Sequence, residues 1–386
     1  MNVSIPKETR PDERRVALAP DTVKKLVASG IAVDVEPGAG LAAGFSDVDF
    51  TAAGATVAAG REALLAGAEL LACVNRLDPA DVARLRKGSA VIGFLRPLDE
   101  PEGLRPFLDA AVTAFAMELV PRTTRAQAMD ALSSMATVAG YKAVLLAAAR
   151  MPKMFPLLMT AAGTVPPAKV VVIGAGVAGL MAIATARRLG ATIEAYDVRQ
   201  AAGEEVRSLG ARFLDVDLGG IQTQDAGGYA VELSPEALKR GRDLVAERVK
   251  DADLVITTAQ VPGRKAPLML EETAVRGMKS GAVIVDLAAP TGGNTALTKP
   301  GEDTVVNGVT ILAPLNLAAT VPLHASQLYA RNVAAFLKLL VGEGGALSVN
   351  LNDDVVAGAC AVHDGKPVNP RVAALLAPAS PAGAAR

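Results

Sequence analysis

Residues 169–189 read KVVVIGAGVAGLMAIATARRL, and this stretch decides the fold. The run KVVVI predicts a strand over 169–173. Gly174, Gly176 and Gly179 follow as G-x-G-x-x-G, and a helical pattern runs from Val177 to Leu189, with Gly190 behind it. Each glycine has its own task in such a turn. Gly174 permits the tight turn, Gly176 lets backbone approach a pyrophosphate, and Gly179 lets helix and strand pack closely. Val177 opens the helix, whose unpaired N–H groups and positive dipole end suit phosphate. Asp197 stands at the end of the next strand, where a carboxylate accepts hydrogen bonds from an adenosine ribose and repels a 2′-phosphate. Arg199, two residues on, is of the type that accommodates a 2′-phosphate. The balance points to NAD(H) rather than NADP(H). Ala259 closes the strand 254–258 and falls at the same carboxyl edge.

The alternation of strand and helix extends both ways. Upstream, β-rich runs occur at 2–5, 31–35, 69–74, 90–95 and 112–117, with helix-like stretches at 21–29 and 81–86 between them. Downstream, strands are expected at 192–196, 212–216, 254–258 and 283–287. Ser234-Pro235-Glu236 marks a helix start, and Asn307-Gly308 inside 304–312 marks a hairpin. A long helix is expected over 127–150, with Gly140 inside it for close helix packing, and a last helix over 323–340. The tail 373–386 reads as frayed. The alternation predicts an α/β fold of mostly parallel sheets with helices on their faces.

Composition narrows the chemistry. The 386 residues suit two or three domains at roughly 150 residues each. They carry 39 basic and 40 acidic side chains. That balance argues against a nucleic-acid binder relying on counterion release. Two His, two Cys and no Trp argue against a Cys-rich zinc site and a disulfide framework. His324 and His363 are the sole candidates for histidine chemistry, and both read as structural or surface residues. The N-terminus is charged from residue 7 and lacks the apolar core of a signal peptide. The apolar stretch 170–186 is short for a membrane span and is interrupted by glycines. A soluble cytoplasmic chain without membrane insertion is expected.

Residues 120–134, VPRTTRAQAMDALSS, continuing to AGYKAV at 139–144, resemble the signature of the NAD(H)-binding component of proton-translocating nicotinamide nucleotide transhydrogenase. PKE at 6–8 and ERRVALAP at 13–20 resemble the entry motif that this component shares with alanine dehydrogenase. The resemblance implies an α/β fold of two Rossmann-like domains with parallel sheets flanking a cleft: a discontinuous first domain, 1–131 plus 320–386, and an NAD(H)-binding domain, 132–319. It implies that Arg122, Gln127, Asp130 and Ser133 meet the nicotinamide ring. It also implies that a loop at 223–230 closes over the site with Tyr229, and that Gly228 belongs with the cofactor-binding residues. On a helix starting near Ala126, Gln127, Asp130 and Ser133 would share a face.

The implied activity is hydride transfer from NADH to NADP⁺ held on a partner subunit. A membrane-spanning subunit is the other partner, and the chain would be a homodimer lying peripherally at the membrane. The Asn307-Gly308 hairpin is a candidate interface element. The alternative is a free-standing alanine dehydrogenase-type enzyme, which Arg15 favours. That enzyme uses a lysine and a histidine in its first domain, whereas the corresponding stretches here read VNRLD at 74–78 and FLRPL at 94–98. A further departure is Pro290-Thr291, where the family usually has an acid and a Gln.

Overall fold

The computed structural model describes residues 1–216, 234–261 and 263–377. The chain divides into two compact units. One comprises Met1–Met135 with Ala319–Arg386, and the other Ala136–Ala318. Each is a mixed α/β body built on a sheet of mostly parallel strands.

Among the described residues, the main sheet of the first unit has eight strands. From one edge the order is Lys366–Pro367, Cys360–His363, Thr113–Ala116, Ala90–Phe94, Leu70–Asn75, Asn2–Ile5, Ala32–Val35 and Thr56–Val57. The pairs from Thr113–Ala116 through Thr56–Val57 are parallel, as in Asn2↔Ala32 to Ile5↔Val35. The parallel strands are extended from the far end of the chain by Cys360–His363, antiparallel to Thr113–Ala116, with Lys366–Pro367 at the edge beyond it. Helix Pro322–Leu337 also returns to this unit, and its buried Tyr329 hydroxyl donates to the Cys73 carbonyl (2.9 Å).

Among the described residues, the second unit has a seven-stranded sheet in the order Arg212–Phe213, Thr192–Tyr196, Lys169–Ile173, Leu254–Thr257, Val283–Asp286, Val309–Leu312 and Thr304–Val306. Val170 and Val172 enter one apolar cluster, while Val171 and Ile173 enter another. Both faces of the strand are therefore covered, which is why it reads as an unbroken apolar run. The hairpin forms at Asn307 and Gly308, with φ of 51° and 77°. Ser234 caps helix Pro235–Val249 by accepting from the Ala237 N–H (3.2 Å).

Several expectations need correction. The long helix begins at Ala131 rather than Gln127, and residues Thr124–Met129 form a 3₁₀ turn. The cause is Asp130, whose carboxylate accepts from the Ser133 N–H (2.9 Å) and hydroxyl (2.6 Å). A short acid that bonds the backbone ahead of it competes with helix continuation. The strand expected over 212–216 is only Arg212–Phe213. Residues 373–376 of the expected frayed tail belong to helix Pro370–Leu376, capped by Asn369. An antiparallel ribbon, Leu158–Thr160 with Gly163–Val165, was not anticipated. Among the described residues, helix Ala131–Arg150 is long and apolar enough to cross a membrane. Its Ala143, Val144 and Ala147 are fully buried in the second unit's core, however, as in an interior helix of a globular domain.

Candidate functional site

In the second unit, strand Lys169–Ile173 stands between Thr192–Tyr196 and Leu254–Thr257. Connections therefore leave it in opposite directions, and ligands of such sheets bind at the carboxyl end of that strand. Gly174 follows it with φ of 98°, and a Cβ there would fall 2.5 Å from Thr258 Oγ1. A Cβ on Gly179 would fall 1.8 Å from the Gly174 carbonyl oxygen. Both positions admit only glycine for reasons internal to the protein. Gly176 is different, because among the described residues a Cβ there would meet nothing within 4 Å. It precedes helix Val177–Arg188, and among the described residues no side chain caps that helix's N–H groups. An open approach to uncapped donors fits a pyrophosphate cradle. Val177, 39% exposed, is the first residue of that helix.

Asp197 is buried, and both its oxygens are engaged. Oδ2 accepts from the Ala175 N–H (2.7 Å) and from Arg199 Nη2 (2.9 Å). Oδ1 accepts from the Arg199 N–H (2.8 Å) and Nε (2.9 Å). The Asp197 hydrogen bond raises the Arg199 pKa further above its usual value. A carboxylate has about four acceptor sites. A ribose hydroxyl can reach it only by displacing or sharing with the guanidinium.

Ala259 is fixed by Asn294. Its N–H donates to Asn294 Oδ1 (3.0 Å), and its carbonyl accepts from Asn294 Nδ2 (2.8 Å). Asn294 and Asp286 are both fully buried. Asp286 accepts from Thr257 Oγ1, the Ala288 N–H, the Asn294 N–H and Thr298 Oγ1. A Cβ on Gly293 would fall 2.7 Å from Asp286 Oδ2. Asp286, Asn294 and Thr258, whose hydroxyl donates to the Gly174 carbonyl (2.8 Å), form the frame of this site. None of the three stands out as a site residue in the sequence. The available signal is the Gly292-Gly293-Asn294 loop behind a strand ending in Asp. At the departure, Thr291 bonds locally: its hydroxyl donates to the Ala288 carbonyl (3.1 Å).

Arg122, Gln127 and Asp130 lie in the first unit. They line one depression of ≈ 320 Å³ together with Pro121, Thr123, Thr124 and Ala126. Ser133 joins them through its bonds to Asp130. Contrary to expectation, Gln127 shares no α-helical face with Asp130, because it sits on the 3₁₀ turn. The glycine loop, Asp197, Arg199 and Ala259 form the separate group in the second unit. Gly228 and Tyr229 lie outside the described residues.

At the carboxyl edge of the first sheet is a buried charged cluster. Arg15 Nε and Nη2 donate to the two oxygens of Glu13 (2.8 and 2.6 Å), and Asn75 Nδ2 donates to Glu13 (2.9 Å) and Glu8 (3.0 Å). Burial pushes the Glu13 carboxyl up, but Arg15 and Asn75 outweigh it and hold the group at about 2. Burial dominates for Glu8 and raises it. Arg15 is thus neutralised within its own cluster. Nearby, Glu118 accepts from the Arg96 N–H, while its buried Oε2 has no hydrogen-bond partner among the described residues. Burial pushes its carboxyl up to about 7. Arg96 occupies the left-handed region, with φ of 55°.

Two family models match the chain: alanine dehydrogenase/PNT, N-terminal domain, over residues 4–139, and alanine dehydrogenase/PNT, C-terminal domain, over residues 143–370. The chain is 44% identical over 377 residues to an NAD(P) transhydrogenase subunit alpha polypeptide of Rhodospirillum rubrum, covering 96% of this chain and 98% of that protein. Its fold is similar to the crystal structure of a transhydrogenase from Sinorhizobium meliloti, with a TM-score of 0.87 and 43% identity over 95% of this chain and 100% of that one. It is also similar to a solved L-alanine dehydrogenase, with a TM-score of 0.80 and 26% identity over 96% and 98% of the two chains.

Proposed function

The chain belongs to the alanine dehydrogenase/PNT family, and on that premise we propose that it is the NAD(H)-binding subunit of a proton-translocating transhydrogenase. Its reaction is hydride transfer between NADH and NADP⁺ held on a partner subunit. The single observation that carries this reading over the dehydrogenase one is the Arg15–Glu13 pair with Asn75 across it. The one cation of that cluster is engaged by an internal carboxylate. An amide stands in the stretch where the resemblance places the dehydrogenase lysine.

NAD(H), when bound, supplies or receives the hydride. The transfer moves no proton between the rings, so this chain has no need of a general acid or base. Its contribution is positioning and exclusion of water. Gly176 and Val177 face the pyrophosphate in a loop whose shape Gly174 and Gly179 permit, Asp197 holds the ribose once Arg199 yields, and Ala259 borders the adenosine half. Arg122, Gln127, Asp130 and Ser133 orient the nicotinamide; the roles that the resemblance implies for Gly228 and Tyr229 fall outside the described residues. The chain acts as a homodimer on the cytoplasmic side, held at the membrane by a membrane-spanning partner.

The test is reconstitution. Mixed with its NADP(H)-holding subunit, the protein is expected to reduce an NADP⁺ analogue with NADH. It is expected to form no NADH from alanine and NAD⁺. Failure of the first with NADH binding intact, or success of the second, overturns the reading.

A further inference from the structure

We propose that Arg125 is a positioning residue, clamping the loop 121–130 to the segment 350–359 and thereby fixing Arg122 and Gln127. The inference rests on the functional reading above. The loop joins strand Thr113–Ala116 to helix Ala131–Arg150 and contains only a 3₁₀ turn, Thr124–Met129. Such turns are short and poorly hydrogen-bonded, so their shape depends on outside support. Arg125 donates through Nη2 to Asp353 and through Nη1 to Asp354. Asp353 is itself immobilised: Oδ1 caps helix Asp354–Ala359 by accepting from the Val355 and Val356 N–H groups (2.9 and 3.1 Å). Its Oδ2 is left to Arg125. The pairing raises the Arg125 pKa and lowers that of Asp353.

Two further contacts bring the same loop to C-terminal elements. Asn332 donates to the Ala128 carbonyl (2.9 Å). Gly358 lies against Pro121, where a Cβ would approach Pro121 Cδ to 3.0 Å. Arg125 is absent from the lining of the depression that Arg122, Gln127 and Asp130 share. It acts on that site through the loop, not by touching a ligand. Its side chain is 48% exposed, and exposed pairs contribute little to overall stability. The consequence of losing it therefore falls on loop geometry rather than on folding.

The experiment uses the full chain with its NADP(H)-holding partner subunit. Arg125→Ala is expected to lower kcat for hydride transfer about tenfold while KM for NADH stays within about twofold. Arg125→Lys recovers most of the loss. The double variant Asp353→Asn/Asp354→Asn, which keeps a capping side chain at 353, matches Arg125→Ala. Combining all three changes adds nothing further, as for partners in one interaction. An unchanged kcat in Arg125→Ala, an equal rise in KM, or additive losses overturn the proposal. If the wild-type chain transfers no hydride, the functional reading fails separately, and hydrogen exchange decides on the clamp. Amides at 122–129 exchanging faster in Arg125→Ala, with strand Thr113–Ala116 unchanged, support it; equal exchange overturns it.

Discussion

A Cβ placed on Gly140 would stand 2.1 Å from the carbonyl oxygen of Ala178. The long helix Ala131–Arg150 therefore meets the first turn of the phosphate-loop helix backbone to backbone, with no room for a methyl group. The glycine that interrupts an otherwise strong helix-forming run is there for this contact. Gly140→Ala is expected to destabilise the second unit by about 1–3 kcal/mol through overpacking. It should also weaken NADH binding, because Ala178 lies within the glycine motif. Urea midpoints and an NADH fluorescence titration check both; wild-type values in the two assays would contradict the contact.

Arg199 occupies the Asp197 carboxylate through three hydrogen bonds, so under the proposed function it would compete there with a ribose. Arg199→Ala should free the Asp197 carboxylate and raise the preference for NADH over NADPH. The gain expected is about tenfold, of the order of one charge-assisted hydrogen bond. Dissociation constants for the two nucleotides, compared between wild type and variant, measure it. A preference moving toward NADPH would show that Arg199 serves the ribose directly.

Asp286 is buried and accepts from side chains and backbone on three segments. Asp286→Ala leaves those donors without an acceptor and is expected to cost about 3 kcal/mol or more. Chemical denaturation gives the value. Asn294→Ala should be milder in stability but should loosen Ala259, which registers as a weaker NADH affinity.

Glu118 and Glu13 give the first unit opposite pH dependences. Glu118 in the folded chain titrates at about 7, above its unfolded value near 4.3. Between those values the folded state holds one more proton, so stability falls as pH rises through that window and is level above it. Glu13, held at about 2, contributes stability present above its unfolded pKa and lost as pH falls toward 2. Glu118→Gln should flatten the slope between about pH 5 and 7, on the order of 3 kcal/mol at most, in denaturation midpoints recorded across that range. An unchanged slope would remove Glu118 as its source.

Gln127→Ala should reduce hydride transfer about a hundredfold, the scale of a misplaced reactant, and change NADH affinity far less. Stopped-flow transfer rates beside equilibrium titration separate the two. A uniform loss of affinity would make Gln127 a binding residue only.

Much of the fold was legible because it is encoded locally. The strand, the three glycines and the following helix need only neighbours within a few residues, and the Asn307-Gly308 turn needs only itself. The start of the long helix was misread because periodicity sees Gln127 and Asp130 as helical, whereas the Asp130 side chain takes its hydrogen bonds from Ser133. The supporting frame of the nucleotide loop was not legible at all. Asn294 reaches Ala259 across 35 positions, and nothing in either neighbourhood announces the other. The same holds for Glu13 and Asn75, which the sheet alone places side by side around the charge of Arg15.

The return of residues 319–386 to the first unit has a consequence for biosynthesis. Strand Cys360–His363 covers Thr113–Ala116, and Tyr329 bonds Cys73 across 256 positions. A nascent chain has delivered the whole of Ala136–Ala318 before either partner leaves the ribosome. Domains fold as units while synthesis proceeds. The second unit therefore matures first, and the N-terminal strands wait with an open edge, the period in which a chaperone has most to protect.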